Sequence, residues 1–218
     1  MKLHYETVSK PLLECLQKLM ANPVFNDFTL VGGTALSLQC GHRISADIDL
    51  FTANNYDSMN LEDIKRALTA DFLYINGLET LNGRSLGYTV YIANSLTEEI
   101  KLDLFYTDDF IAPVVQQDGL RLASIQDIAA MKMQAIVNNK RKKDFWDIHE
   151  LLEYFTLKEL IQYGLQRNPY TLTENDILDS LCHSAELTQD NVIECLKGKY
   201  WELIIEDLRT IAEQYKKG

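Results

Sequence analysis

Two aspartates separated by one residue lie in a short segment, residues 46–51, whose alternating polar and apolar residues indicate a β-strand. Successive side chains of a strand point to opposite faces, so the carboxylates of Asp47 and Asp49 share one face. A third carboxylate, Asp103, interrupts a similar apolar pattern in residues 100–106. If these two strands pair beside each other, the three carboxylates converge on one site.

Carboxylates that crowd together raise one another's pKa unless a cation neutralises them. Mg²⁺ prefers oxygen ligands and is typically held by a few carboxylates together with substrate phosphates, in some enzymes as a pair of ions about 4 Å apart. The pattern therefore predicts a magnesium site with Asp47, Asp49 and Asp103 as ligands. The alternative is an ordinary polar strand face, on which Asp-x-Asp pairs also occur.

A glycine pair, Gly32 and Gly33, lies between a predicted strand at residues 28–31 and a predicted short helix that starts at Thr34. Glycine lets backbone amides approach an anion closely, and the N-terminus of a helix favours negative charge. We expect these three residues to bind phosphate. The alternative is a simple turn.

Lys132 falls on the inward-facing stripe of a predicted helix that begins at Ser124. A lysine in that position needs a partner. One interpretation is an ion pair with Asp144 or Asp147 on the following helix, and the other is a contact with the phosphates of a nucleotide. Both hold if the acidic residue orients the lysine.

Several basic residues flank these segments. Arg43 precedes the aspartate strand and is expected to reach a phosphate, whereas His42 has no partner that the sequence indicates and is equally well explained as an exposed loop residue. Lys101 shares a strand face with Asp103 and can neutralise it. The run at residues 140–143, Lys-Arg-Lys-Lys, fits either an RNA contact or a solvated connection that complements the C-terminal dipole of the preceding helix.

The predicted secondary structure that positions these residues changes near residue 121, from alternating strands and helices to helices alone. Strand signals alternate with helices before it, and helix starts at Ser124, Thr156 and Thr173 precede a final amphipathic stretch at residues 200–215. This order predicts an α+β fold, with a mixed sheet and flanking helices in residues 1–120 and a helical lobe in residues 121–218 that closes a cleft. The predicted strands are residues 28–31, 46–51, 72–78, 85–93 and 100–106, and the earlier helices are residues 11–20, 34–40 and 60–70.

Composition excludes several classes of protein. The 218 residues are 46% hydrophobic and 24% charged, with 4 Pro and 10 Gly, which is typical of a globular chain. Thirty-two acidic residues against 21 basic ones give a net charge of −11, which argues against a protein that coats long nucleic acids. No membrane span or signal peptide is indicated, so we expect a cytoplasmic protein. The four cysteines have neither zinc-ligand nor CxxC spacing.

The segment from Val31 to Phe51, Val-Gly-Gly-Thr-Ala-Leu-Ser-Leu-Gln-Cys-Gly-His-Arg-Ile-Ser-Ala-Asp-Ile-Asp-Leu-Phe, resembles the signature of the AbiEii/AbiGii-type nucleotidyltransferase toxins. These belong to the DNA polymerase β-like nucleotidyltransferase superfamily. The resemblance extends to residues 101–105, 127–135 and 143–149, roughly half of the chain. The residues after about 155 show no recognisable similarity.

The resemblance implies Mg²⁺-dependent transfer of a nucleoside monophosphate from an NTP to an acceptor hydroxyl, on RNA such as tRNA or on a protein. It implies that Asp47 and Asp49 bind metal and that Asp103 is the third carboxylate and the base. It favours a phosphate contact for Lys132, and a similar Arg-x-Ser stretch in family members adds Arg43 and Ser45 to the nucleotide site. A toxin of this kind implies a cognate antitoxin.

Two other functions fit the sequence. An aminoglycoside-modifying nucleotidyltransferase uses the same catalytic strand, and its cationic acceptor would suit the acidic chain. A non-catalytic nucleotide-binding module could keep the fold without turnover, although the presence of all three carboxylates speaks against it.

Overall fold

A mixed sheet and the helices on its two sides make up the computed structural model, which describes residues 2–95, 98–184 and 192–217. The strands in these ranges are β1 (Thr29–Leu30), β2 (Asp47–Thr52), β3 (Tyr74–Asn76), β4 (Gly87–Ala93), β5 (Ile100–Tyr106), β6 (Val115–Gln117) and β7 (Leu120–Leu122). The α-helices are α1 (Lys10–Ala21), α2 (Gly32–Cys40), α3 (Leu61–Asp71), α4 (Ile125–Asn138), α5 (Lys142–Leu151), α6 (Leu157–Arg167), α7 (Glu174–Cys182) and α8 (Trp201–Lys217).

The seven described strands form one sheet in the order β3-β4-β5-β2-β1-β7-β6. β2 lies at its centre, parallel to β5 and antiparallel to β1. Every second residue of β2 is buried, and Ile48 and Leu50 have no exposed surface. One face of β2 is thus apolar and lies in the core, and the opposite face carries Asp47 and Asp49.

The helices divide between two regions. α1 packs against β2, β4, β5 and β7 through its buried stripe, in which Leu12, Leu16 and Leu19 have no exposed surface. α4 contacts α2, α5, α6 and α7 and so connects the sheet region to the C-terminal helices. This arrangement confirms the predicted α+β fold with a helical C-terminal part.

The predicted helix starts rest on side-chain caps. The Ser124 hydroxyl accepts a hydrogen bond from the amide of Asp127 at 3.0 Å, and Thr156 and Thr173 form reciprocal capping boxes with Glu159 and Asp176. None of the helices in the described ranges is long and apolar enough to cross a membrane.

Three features of the fold differ from the sequence-based prediction. The helix after β1 begins at Gly32 rather than Thr34, so the glycine pair lies in its first turn. β3 is only three residues long, and a 3₁₀ turn at Leu78–Thr80 follows it. β6 and β7 were not predicted, because strands of three residues carry too little alternation to be recognised.

The unpredicted strand β7 bears on the division of the chain. It runs from Leu120 to Leu122 and pairs in parallel with β1, so the sheet crosses the predicted boundary at residue 120. The division into residues 1–120 and 121–218 stays a prediction.

A segment near the C-terminus lies beside the loop that leads into β2. The Ile44 amide donates to the carbonyl oxygen of Glu194, and the Leu196 amide donates to that of His42, both at 2.9 Å. This segment is fixed to α5 by ion pairs of Lys197 and Lys199 with Glu150, whose side chain is 1% exposed. It therefore forms a wall beside the first aspartate.

Candidate active site

The parallel pairing of β2 and β5 places the three predicted carboxylates together. Asp49 lies opposite Asp103 in the register, and Asp47 lies opposite Lys101. The Asp103 carboxylate accepts hydrogen bonds from the Thr89 hydroxyl at 2.6 Å and from the Lys101 ammonium. The strand pairing that the predicted convergence required is present, and the charges of Asp103 and Asp47 both act on Asp49. A shared metal site of the three carboxylates stays a prediction.

Two of the three carboxylates, Asp47 and Asp103, form ion pairs with lysines. Lys101 forms an ion pair with Asp103, as its place on the same strand face predicts. Lys143, at the start of α5, lies 3.2 Å from an oxygen of Asp47. No lysine pairs with Asp49 among the described residues, and its environment is correspondingly unfavourable to a negative charge. Burial, followed by the charges of Asp103 and Asp47, raises the pKa of Asp49 to about 6.

The donor set fits a hard divalent cation. Within residues 2–95, 98–184 and 192–217, no three His, Cys, Asp or Glu side chains are already grouped as a metal site. Asp47 and Asp103 are instead paired with lysines, while Asp49 carries a charge that its neighbours disfavour. A cation that binds these carboxylates would relieve the repulsion that raises the pKa of Asp49. Asp47, Asp49 and Asp103 are therefore the residues that would hold Mg²⁺.

The N-terminus of α2 approaches the carboxylates because its first two residues lack side chains. A Cβ atom on Gly32 would lie 2.4 Å from Oδ2 of Asp49, and Gly32 has φ of +69°, which disfavours other residues. A Cβ atom on Gly33 would lie 2.4 Å from Nη2 of Arg43. The residue before the helix, Val31, provides no side-chain cap. The first-turn amides of α2 thus face the aspartate site with the positive end of the helix dipole.

Thr34 and Ser45 have buried side chains. The Thr34 hydroxyl contacts the backbone carbonyl of Asp47 and the Ser45 hydroxyl, the latter at 2.9 Å. These contacts connect α2 to the start of β2 and fix the position of Asp47. A phosphate contact through their hydroxyls would have to compete with this pairing, and it stays a prediction.

Buried charged residues of the loop before β2, of α4 and of α5 form a second group of ion pairs. The Lys132 ammonium contacts Asp144 at 2.6 Å and Asp147 at 2.5 Å, so both predicted ion pairs form. Arg43 binds Asp147 through Nε at 2.6 Å and Nη2 at 2.9 Å. Neither aspartate side chain has exposed surface. We name these residues, with His42, the ion network.

The environment of Asp147 is the reverse of that of Asp49. Burial alone would raise the pKa of Asp147, but Arg43 and Lys132 outweigh it and hold the pKa well below its ordinary value. Burial would also raise the pKa of Asp144, but Lys132 and Arg141 outweigh it and lower this pKa. The ion network is therefore an internally neutralised cluster.

The structure corrects one expectation about this region. His42 is 1% exposed and its Nε2 lies 2.8 Å from Asp147, so the interpretation as an exposed loop residue is wrong. Because its partner lies 105 positions along the chain, no local pattern could indicate the contact. Arg43 likewise binds Asp147 and the carbonyl of Ile44, and its predicted contact with phosphate stays a prediction.

Two clefts meet at the aspartates. The first, of about 580 Å³, contains Asp49 and the α2 N-terminus; we name it the aromatic cleft, and it is lined by Gly32, Asp49, Phe51, Phe105, Lys132 and Asn138 among others. The second, of about 350 Å³, contains Asp47; we name it the basic cleft, and it is lined by Arg43, Asp47, Arg141, Lys142, Lys143 and Glu194 among others. Helix α4 thus provides a wall of the aromatic cleft, and the first residues of α5 contribute to both clefts.

The sequence matches a family model described as the nucleotidyl transferase AbiEii toxin of type IV toxin–antitoxin systems, over residues 14–200. The chain belongs to the AbiEii family. The predicted family resemblance is thereby confirmed, and with it the assignment of the chain as a nucleotidyltransferase enzyme and a member of a toxin family.

Similar proteins cover nearly the whole AbiEii chain. An uncharacterized protein of Aquifex aeolicus (strain VF5) is 28% identical over 95% of this chain and 97% of its own length. The crystal structure of JHP933 from Helicobacter pylori has a TM-score of 0.54 at 19% identity, over 98% of this chain and 90% of that one. The nucleotidyltransferase toxin MenT4 from Mycobacterium tuberculosis H37Rv has a TM-score of 0.51 at 13% identity, over 93% and 83%. These structures have the same fold.

Sequence reasoning missed two residues of this AbiEii site. Lys143 contacts Asp47, and Arg141 lines both clefts and binds Asp144 through Nε at 2.8 Å. Both belong to the basic run at residues 140–143, which was interpreted only as an RNA contact or a solvated connection. The signal that could have found Arg141 is its spacing of three residues from Asp144, since residues three apart on a helix are neighbours. No local signal indicates Lys143, because its partner lies 96 positions away.

Proposed function

We propose that this AbiEii family member transfers a nucleoside monophosphate from an NTP to a hydroxyl of an RNA acceptor, in a reaction that depends on Mg²⁺. The observation that carries the proposal is the pairing of β2 with β5, which places Asp49 opposite Asp103, while Asp47 lines the basic cleft and Asp49 lines the aromatic cleft, so this part of β2 borders both clefts. An enzyme that joins two substrates needs such a shared boundary.

The aromatic cleft is the proposed NTP site. It contains the α2 N-terminus, which provides positive potential for a triphosphate, and Asp49, which belongs to the proposed metal site. It is lined by Lys132 as well. Its volume of about 580 Å³ lies within the range of small-molecule pockets. The amides of Gly33 and Thr34 would bind the β- and γ-phosphates, while Asp144 and Asp147 hold Lys132 in place.

The basic cleft is the proposed acceptor site. Arg141, Lys142 and Lys143 line it, and two acidic residues, Asp47 and Glu194, oppose them. This local excess of positive charge favours an anionic acceptor such as RNA over a cationic aminoglycoside, despite the net charge of −11 of the whole chain. A protein acceptor is an outcome that the experiment below distinguishes.

The chemistry follows from the positions of the carboxylates. The hydroxyl oxygen of the acceptor attacks the α-phosphorus, the bond to the pyrophosphate oxygen breaks, and Asp103 accepts the hydroxyl proton. Lys101 and Thr89 hold the Asp103 carboxylate in position for this step. When bound at the three aspartates, Mg²⁺ supplies positive charge that stabilises the phosphoryl oxygens and the leaving pyrophosphate. A cognate antitoxin would be the partner of such a toxin.

Label transfer tests the proposal. The purified protein is incubated with Mg²⁺ and each α-³²P-labelled NTP in turn, with total RNA, with aminoglycosides, or with no added acceptor. We expect label on RNA from at least one NTP and none from Asp47→Ala/Asp49→Ala. Label on the aminoglycosides or on protein instead would contradict the RNA acceptor, and the absence of label from every NTP would contradict the activity.

A further inference from the structure

Two phenylalanines continue the carboxylate face of the sheet. Phe51 follows Asp49 by two residues on β2, and Phe105 follows Asp103 by two residues on β5. Residues two apart on a strand share a face, and Phe51 lies opposite Phe105 in the register. Their ring centroids are 5.6 Å apart at an interplanar angle of 36°. Both rings are partly exposed and line the aromatic cleft.

A glycine on the neighbouring strand lets one of these rings lie flat against the sheet. Gly87 of β4 lies opposite Phe105, and a Cβ atom at this position would be 2.3 Å from two carbons of the Phe105 ring. No other residue type could be placed here without displacing the ring. Gly87, Phe105 and Phe51 thus form an aromatic surface of two tilted rings, which we name the platform.

The platform lies at the spacing that a nucleotide requires. Two residues of a strand span roughly 6.6 Å, which is comparable to the extent of one ribose between a phosphate and a base. A nucleotide whose α-phosphate lies at Asp49 and Asp103 would therefore place its base over Phe51 and Phe105.

The wall opposite the platform offers polar groups. Met131, Gln134 and Asn138 of α4 line the aromatic cleft and follow one another at intervals of three and four residues, so they share a helix face. The side-chain amides of Gln134 and Asn138 form no hydrogen bond with another described residue. Each amide has both donors and an acceptor, as the edge of a nucleobase does.

We propose that the platform stacks the nucleobase of the NTP, and that Gln134 and Asn138 contact the base edge and set the preference among the four NTPs. This inference rests on the proposed function, since it assigns the base position within the NTP site. Stacking on an aromatic ring contributes to affinity for every base, whereas amide contacts distinguish one base from another.

Binding measurements separate the platform from the phosphate site. The affinities of α,β-methylene analogues of the four NTPs and of inorganic tripolyphosphate, each with Mg²⁺, are determined by calorimetry for the wild type and for Phe105→Leu. Leucine keeps the apolar volume but lacks the flat ring. We expect Phe105→Leu to weaken the binding of NTP analogues by about 5- to 100-fold, to leave tripolyphosphate binding unchanged, and to recover in Phe105→Tyr.

The matched control is Phe155→Leu, because Phe155 is a partly buried phenylalanine that packs against Tyr163 and is not among the residues lining the aromatic cleft. It should leave both affinities unchanged. Gln134→Leu and Asn138→Ala should alter the order of preference among the NTPs. Unchanged NTP affinity in Phe105→Leu, or an equal loss of tripolyphosphate binding, would overturn the inference. If the wild type binds neither NTP analogues nor tripolyphosphate, the proposed function itself fails.

Discussion

The molecule contains two groups of aspartates with opposite electrostatics, one buried and one partly exposed. In the ion network, Asp144 and Asp147 face Lys132, Arg43 and other donors, and their pKa values lie below the ordinary value. At the proposed metal site, Asp49 faces two further carboxylates, and its pKa is raised to about 6. The two groups are connected through Arg43, whose guanidinium lies against Gly33 at the α2 N-terminus.

The difference shows how each group contributes to the protein. The ion network has partners within the chain, so its charges position Lys132 and join α4 and α5 to the loop before β2. The carboxylates of β2 and β5 lack enough partners, so they keep a negative potential that a cation and a substrate can neutralise. Variants of one group should therefore affect mainly stability, and variants of the other mainly activity.

Removing the central acid of the ion network should have the largest effect on stability. Asp147→Asn leaves Arg43 and Lys132 buried with half of their neutralising charge lost, and we expect the free energy of unfolding to fall by about 3–5 kcal/mol. Urea denaturation followed by circular dichroism measures this. The control Glu206→Gln removes an exposed ion pair with Arg209 and should change nothing measurable. A loss below about 1 kcal/mol in Asp147→Asn would show that the network is not stabilising.

The second-largest effect should be on the pH dependence of the free energy of unfolding. The pKa values of Asp144 and Asp147 are lower in the folded protein than in the unfolded chain, so the unfolded chain takes up their protons first as the pH falls. Their contribution is present above about pH 4, the ordinary aspartate range, and is lost below it. We expect the stability of Asp147→Asn to fall less steeply than that of the wild type below pH 4, by about 1.4 kcal/mol per pH unit. Parallel curves would contradict this.

The opposite sign is expected for Asp49→Asn in the metal-free protein. Its raised pKa means that the charged form is disfavoured by folding, so the cost is absent below about pH 4 and fully present above about pH 6. Removing the charge should leave the free energy of unfolding at pH 7 unchanged or raise it by up to about 2 kcal/mol. Thermal unfolding at pH 4 and pH 7 tests this, and a clear loss of stability at pH 7 would make Asp49 a structural residue.

The smallest effect on stability should come from Lys143→Met. The side chains of Lys143 and Asp47 are each 36% exposed, so water screens their 3.2 Å ion pair. We expect a change below about 1 kcal/mol, measured by the same denaturation experiment. A larger loss would show that Lys143 belongs with the buried ion network rather than with the open carboxylate site.

The sequence was sufficient for features that depend on local alternation. The shared face of Asp47 and Asp49 follows from strand periodicity and the helix caps follow from the residue types at the helix starts, and the structure confirms both. The place of Asp103 opposite Asp49 depended on the pairing of β2 with β5, which local alternation does not indicate. The start of α2 was displaced by two residues because glycine disfavours helices in general, whereas here only glycine permits the contact with Asp49.

Features that depend on distant contacts could not be predicted. The burial of His42 depends on Asp147, the contact of Lys143 with Asp47 spans 96 positions, and the flat position of Phe105 depends on Gly87 of the neighbouring strand. In each case the residue type alone permits an exposed position. Only the packing of α5 beside β2 and the pairing of β4 with β5 select the observed positions.

The most direct test compares Asp49→Asn with the wild type in one set of samples, by the rate of label transfer from the preferred NTP and by the free energy of unfolding. We predict that transfer falls by about 10³-fold or more, as expected when charge stabilisation of a transition state is lost, while stability does not fall. Transfer at the wild-type rate, or a loss of activity that a loss of stability fully explains, would contradict the assignment of the three aspartates as the catalytic site.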